Sequence, residues 1–210
     1  MIYASSGKVF TRRSVLFGAA ALSVSGCAVL QKPEVPRLYV LRPQVTAPMG
    51  TPVRWRLSIA VPDAAASLDT SRIALTRSPI TMDYFASAAW TDRVPLLVQR
   101  TLIQSFDMSG RIVSVDRDTT GLETDYLLET EIRDFQARYD SQSGPPEVVI
   151  GIQVKLVRMP EREIVGGMYA NQRAMASANS IDSVVGAFNQ AAGAALSQVV
   201  GWTLNQPAPA

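Results

Sequence analysis

Hydrophobic positions along the chain change their spacing several times, and each change marks an element. Val148, Ile150, Ile152, Val154 and Leu156 recur at every second residue, the period of a strand with a buried face. Glu147 to Arg158 is the clearest strand in the sequence. Tyr126 to Gln136 forms a long hairpin with it across the loop Ser141-Gln142-Ser143-Gly144-Pro145-Pro146. Met159-Pro160-Glu161-Arg162 then turns the chain into a third arm, Glu163 to Ala176. Three successive strands on short loops imply an antiparallel meander.

A second spacing governs the end of the chain. Ile181, Val184, Val185, Phe188, Ala192, Ala195, Leu196 and Val199 follow the helical repeat, so Asp182 to Leu204 is expected to be a helix with one buried stripe. Gly186, Gly193 and Gly201 lie inside it, each at a cost of about 1 kcal/mol relative to alanine. That cost predicts close approach of another backbone. An earlier helix begins around Trp90-Thr91-Asp92-Arg93-Val94-Pro95: Thr91 or Asp92 can accept a free backbone N–H, and proline suits the first turn. Val94, Leu97, Val98, Thr101 and Leu102 form its stripe, and Gly110 is its stop.

Shorter strands are read at Arg37–Leu41, Val53–Val61, Arg72–Arg77, Ile80–Ala89 and Arg111–Val115. In the second of these, Val53, Trp55, Leu57, Ile59 and Val61 share one face, while the fourth returns antiparallel to the third. Ala64 to Ala66 is a helical turn and Asp116 to Asp125 a polar loop. The expected architecture is α+β: a mostly antiparallel sheet with two main helices packed on it. It forms a single domain over residues 37–205, followed by a disordered tail at 206–210.

The N-terminal residues do not fit that domain. Lys8, Arg12 and Arg13 precede an apolar run, Val15 to Val24, and small residues Ser25 and Gly26 lead to Cys27. A basic region, a short apolar region and small residues before a cut are the parts of an export signal. The run is too short to span a bilayer, which takes about 20 apolar residues. Val24-Ser25-Gly26-Cys27 resembles a bacterial lipoprotein lipobox, which implies removal of residues 1–26 and lipidation, palmitate included, at Cys27. Ala28 is not the aspartate that marks inner-membrane retention in some Gram-negative bacteria, so the resemblance implies the outer membrane. Thr11-Arg12-Arg13-Ser14-Val15-Leu16 also resembles a twin-arginine motif, departing from it at Val15 and Phe17; the export route stays open. Residues 27–36, with Pro33 and Pro36, read as an extended, lipid-anchored tether.

Charge and composition narrow the function. The signal holds three cations and no carboxylate, so its removal takes the formal charge from +2 to −1 and leaves 184 of 210 residues. Nucleic-acid binding needs a clustered basic surface, and this balance argues against it. Cys27 is the only cysteine and histidine is absent. Disulfides, histidine-based triads and the usual zinc sites are thereby excluded.

Remaining clusters each have a plainer reading. Glu129, Glu131 and Arg133 share a strand face opposite Leu128, Thr130 and Ile132, which makes them, with Asp134, a solvated outer face rather than an acid–base pair. Asp116, Asp118, Glu123 and Asp125 lack the calcium-loop spacing. No Gly-x-Ser-x-Gly occurs, and Gly166-Gly167 marks a bulge or a close contact rather than a dinucleotide loop. Trp55, Tyr84, Phe85 and Trp90 read as core in preference to a ligand groove. No catalytic residue, metal site or cofactor is implied.

The order of elements resembles the ABC-type transport auxiliary lipoproteins, the PqiC/YmbA-like family. The residues that carry the likeness are Tyr39-Val40-Leu41, Ile59-Ala60-Val61, Leu68-Asp69 before Ile73-Ala74-Leu75, Trp90-Thr91-Asp92 with Pro95-Leu96, Tyr126-Leu127-Leu128 and Ile132-Arg133-Asp134-Phe135. The terminal helix completes it. The resemblance implies a non-enzymatic component on the periplasmic face of the outer membrane, held by its lipid anchor at Cys27. Its implied role is to dock the periplasmic bridge of an ABC or Mce-type lipid transport system, with Mce-domain or ABC transporter components as partners and a homo-oligomer as the working form. The alternative is a lipoprotein adaptor for another envelope assembly, such as a peptidoglycan synthase or secretion complex.

Overall fold

The computed structural model describes residues 35–140 and 144–208; Cys27 and the signal ahead of it lie outside the described residues. The meander is present, its first arm two residues longer and its third one residue shorter than expected: β7 (Tyr126–Arg138), β8 (Glu147–Arg158) and β9 (Glu163–Met175) pair antiparallel in that order. Two bulges interrupt it. One falls between Ile132 and Asp134, and it changes which residues point inward. Tyr126, Leu128, Thr130 and Ile132 are buried before it, Phe135 and Ala137 after it. An extra residue in one strand shifts the period-2 phase by one, which is why strict alternation fails at Arg133.

Upstream of the meander lie β1 (Arg37–Tyr39), β2 (Arg56–Ile59), β3 (Asp63–Ala64), β4 (Arg72–Ser78), β5 (Thr81–Trp90) and β6 (Ser114–Arg117). β4 and β5 form the expected antiparallel hairpin. The other pairings are parallel. The edge of β7 that does not meet β8 is shared in succession by β2 at Leu57–Ile59, β3 at Asp63–Ala64 and β4 at Leu75–Thr76. β6 adds to β2, and β1 to β5. The long pairings are thus antiparallel and the short ones parallel, a mixed sheet of nine strands among the described residues. With its two helices it makes a single α+β domain.

Several short elements differ from their sequence expectation, each for a local reason. Trp55, Leu57 and Ile59 are buried as expected, but only Arg56–Ile59 is strand and Val61 is exposed. Residues before Arg56 are drawn into a loop, with the Val53 N–H bonded to the Arg111 carbonyl at 2.6 Å. The same contact removes Arg111–Val113 from the next strand, so β6 begins at Ser114. Asp63–Ala64 bridges to β7, and the helical turn falls one residue later, with the Leu68 and Asp69 N–H groups on the Ala65 carbonyl. The polar loop after β6 contains a 3₁₀ turn at Asp118–Thr120.

The first helix, α1 (Val94–Ser109), starts later than Thr91 and has no side-chain cap. Thr91 instead donates its N–H to the Tyr39 carbonyl at 3.0 Å, and Asp92 accepts the Arg93 N–H at 2.8 Å. Pro95 sits in the first turn, and Gly110 ends the helix at φ 62°, a left-handed conformation that glycine adopts without steric cost. The last helix, α2 (Ile181–Leu204), is capped by the Ser180 side chain, which accepts the Ser183 N–H. Both helices cover the inner face of the sheet. Trp90, Phe135 and Phe188 meet there with ring centroids 5.2–6.1 Å apart, while Trp55 packs edge-on against Tyr126 at 5.3 Å.

Candidate functional site

The feature that stands apart from the sheet is the chain just after the expected tether. From Val40 to Pro52 it has no regular structure, yet it is tied along α2 at regular intervals. The Tyr39 hydroxyl donates to Asp182 at 2.7 Å, the Arg42 N–H to the Asn189 side chain at 2.7 Å, and the Thr46 N–H to the Ser197 hydroxyl at 2.8 Å. Gln44 lies between these bonds, and its carbonyl oxygen would be 2.5 Å from a β-carbon on Gly193. Pro48 would be 3.3 Å from one on Gly201.

A simple match of rises explains this regularity. Two residues of extended chain advance about 6.6 Å, and four residues of α-helix advance about 6 Å. Residues 42, 44, 46 and 48 therefore keep step with 189, 193, 197 and 201. Asn189, Gly193, Ser197 and Gly201 form one shallow row in which the glycines admit the backbone and the polar side chains hold it. Gly193 thus makes the close backbone approach that its helical cost predicted, and Gly201 meets the Pro48 ring instead. Gly186 does not: nothing comes within 4 Å of its missing side chain.

Arg111 closes the far end of this strap. Its guanidinium donates to the Pro48 carbonyl at 2.9 Å and twice to the Thr51 carbonyl at 3.2–3.3 Å, with the side chain buried. Gly50 lies flat on that guanidinium, 2.7 Å from it at the β-carbon position. Beside the clamp is a cleft of about 610 Å³, lined by Val45, Pro48, Met49, Met108 and Arg111 among others. Arg111 carried no functional signal in the sequence, because a buried arginine bonded to carbonyls far along the chain has no local pattern. Tyr39, at the near end, has its hydroxyl pKa raised, first by burial and then by the bond to Asp182.

The other sequence candidates stay separate from this strap. Glu131 pairs with Arg133 at 3.1 Å on the outer face of β7, and Glu129 and Glu131 border an open cleft of about 370 Å³ with Asp63, Gln153 and Lys155. Asp134 accepts from Gln136 and Tyr169 on the same side. Asp125 holds Arg56 at 3.2 Å, and that bond sets its carboxyl below the usual range. No cluster of three potential metal ligands occurs among the described residues. Gly166 adjoins the second bulge, where Leu156 pairs with Gly166 and Val157 with Ile164. Trp55 and Trp90 are core, and Tyr84 and Phe85 are half-buried against it.

Comparisons with known proteins agree with this architecture. The sequence model for the ABC-type transport auxiliary lipoprotein component matches residues 39–200. An uncharacterized protein of Bradyrhizobium diazoefficiens is 30% identical over 174 residues, 79% of this chain; the chain spans only 44% of that relative's length. The crystal structure of protein XCC0632 from Xanthomonas campestris, of the DUF330 family, superposes with a TM-score of 0.75 at 28% identity, covering 80% of this chain and 94% of that one. A second crystal structure, of an uncharacterized protein, shares the fold at a TM-score of 0.62 and 15% identity, over 80% and 97% of the two chains. By the match over residues 39–200, which includes the strap, the meander and nearly all of α2, this chain belongs to the family of ABC-type transport auxiliary lipoproteins.

Proposed function

We propose that the chain is a non-enzymatic lipoprotein, cleaved before Cys27 and lipidated there, that sits on the periplasmic face of the outer membrane as a homo-oligomer. It docks the periplasmic bridge of an Mce-type lipid transport system driven by an ABC transporter. The family supports the transport role, and the strap is the observation that carries the positioning role. Residues 27–36 join the proposed lipid to Arg37, and the next fifteen residues are held at both ends of α2 rather than left loose. The reach of the tether is then set by residues 27–36 alone, about 30 Å when extended, which suits a component that presents its domain at a set distance from the membrane. The carboxylates on the outer face of β7 stand in an open cleft and have no part in this reading.

Two measurements test it. Mass spectrometry of the mature protein should show Cys27 as the N-terminal residue carrying diacylglycerol and an amide-linked acyl chain; an unmodified Cys27 would defeat the anchor. Crosslinking in intact envelopes followed by purification should recover an Mce-domain protein or an ABC permease. Recovery of peptidoglycan synthase or secretion components in their place would transfer the chain to a different envelope machine.

A further inference from the structure

Val35 lies at one end of the domain, and strand pairing fixes what else stands there. Arg37 reaches Asp182 at the start of α2 at 3.3 Å, and the strap leads away from it to Gly201 at the other end of that helix. At the near end β9 finishes with Met175 opposite Glu147, β7 with Arg138 opposite Glu147, and β4 passes with Thr76 opposite Arg138. The turn between β4 and β5 therefore projects from the same end.

That turn is Ser78-Pro79-Ile80-Thr81, closed by a 2.7 Å bond between the Ser78 and Thr81 hydroxyls. Turns favour glycine, proline, asparagine, aspartate and serine, yet Ile80 stands at the tip, 92% exposed. Val35 and Met175 are exposed at this end too. Arg138 and Arg173 share Asp140 and Glu147 at 3.1–3.3 Å. Arg77 lies over the Tyr139 ring at 5.5 Å and has no carboxylate partner among the described residues, which makes it the cation left over in this group. Beside it an open groove of about 460 Å³, lined by Arg77, Pro79, Arg138 and Tyr139 among others, has room for a phosphate headgroup.

Exposed apolar side chains occur at the far end as well, Met108 and Leu122 among them, so exposure alone does not choose a face. Chain length does. The eight residue steps from Cys27 to Val35 span at most about 29 Å. α2 has 24 residues and is about 36 Å long, so the far end could meet a membrane end-on only with Val35 about 36 Å above it, beyond that span. We infer that the near end of the domain rests on the bilayer that holds Cys27, with Ile80 inserted at the headgroup–acyl boundary and Arg77 on lipid phosphate. This rests on the lipid-anchor reading and gives it a contact surface. The anchor makes the contact intramolecular, at millimolar effective concentration, so one inserted side chain and one cation suffice.

The test uses the full-length acylated protein in vesicles of phosphatidylethanolamine and phosphatidylglycerol. Ile80→Cys carries an environment-sensitive fluorophore, and Leu122→Cys at the far end is the control; acylated Cys27 has its sulfur in a thioether and takes up no label. Nitroxides on the lipid acyl chains should quench the label at position 80 at least about threefold more than that at 122. Adding Arg77→Glu, with folding checked by circular dichroism, should reduce the quenching at 80 at least about twofold. Equal quenching at the two positions overturns the face, and quenching unchanged by Arg77→Glu refutes the phosphate contact. An unquenched label at 80 in a protein whose Cys27 is acylated by mass gives the tip to a protein partner, which overturns this surface and leaves the anchor reading intact. An unmodified Cys27 refutes both.

Discussion

Gly193→Ala isolates the contact between strap and helix. Alanine should favour the helix by about 1 kcal/mol on propensity alone. Its β-carbon, however, would lie 2.5 Å from the Gln44 carbonyl oxygen, nearly an ångström inside ordinary contact. The neighbour is backbone and cannot swing away as a side chain would. Gln44 is fixed on both sides by the Arg42 and Thr46 N–H bonds to Asn189 and Ser197, so relief requires stretching one or both, each worth about 1 kcal/mol. Residual overpacking adds about 1–3 kcal/mol. The net expectation is a loss of about 2–3 kcal/mol, which for a domain of this size lowers Tm by about 5–10 °C.

Equilibrium urea unfolding, followed by fluorescence of the buried Trp55 and Trp90, measures this loss directly. Gly186→Ala is the internal reference, because open space surrounds that position and the same propensity term acts alone; it should gain up to about 1 kcal/mol. If Gly193→Ala stabilises the protein as Gly186→Ala does, the strap does not lie where the geometry puts it and the registry argument fails. A loss accompanied by an unchanged exchange rate at the Arg42 and Thr46 amides would also count against it.

Further outcomes follow from other contacts. Arg111→Met should cost about 1–2 kcal/mol, since it removes the three hydrogen bonds that hold the exposed Pro48 and Thr51 carbonyls to a buried side chain. Proteolysis should then cut the 44–52 segment first. Asp125 has its pKa lowered, chiefly by the Arg56 side chain, so its contribution is complete above the ordinary carboxylate value of about 3.9 and disappears as pH falls through the lower folded value. The stability gap between wild type and Asp125→Asn should be constant near neutrality and close in acid, read from urea midpoints across pH. Phe188→Ala should cost about 3–5 kcal/mol by opening a cavity between Trp90 and Phe135, with loss of near-ultraviolet circular dichroism from the aromatic cluster.

Periodicity alone determined the long elements of this protein. β8 and α2 are long enough that their hydrophobic repeats outweigh local exceptions, and their bounds follow from the sequence to within a residue. The proposed attachment at Cys27 is likewise a linear pattern, legible without any fold. Short strands were less legible because partners from elsewhere in the chain decide them: β3 exists only where β7 leaves an open edge, and Arg111 leaves its strand to clamp Thr51. The bulge at Arg133 reversed the inward face of β7 without a marker in composition.

The strap shows the division most clearly. The glycines of α2 announced a close approach, which Gly193 makes. What approached could not be read from them, because the answer lies some 150 residues earlier in the chain, by about the separation of Gln44 and Gly193. Only tertiary structure brings an extended segment and a helix into equal rise. It also separates Gly193 and Gly201, on which the strap lies, from Gly186, where nothing comes within 4 Å.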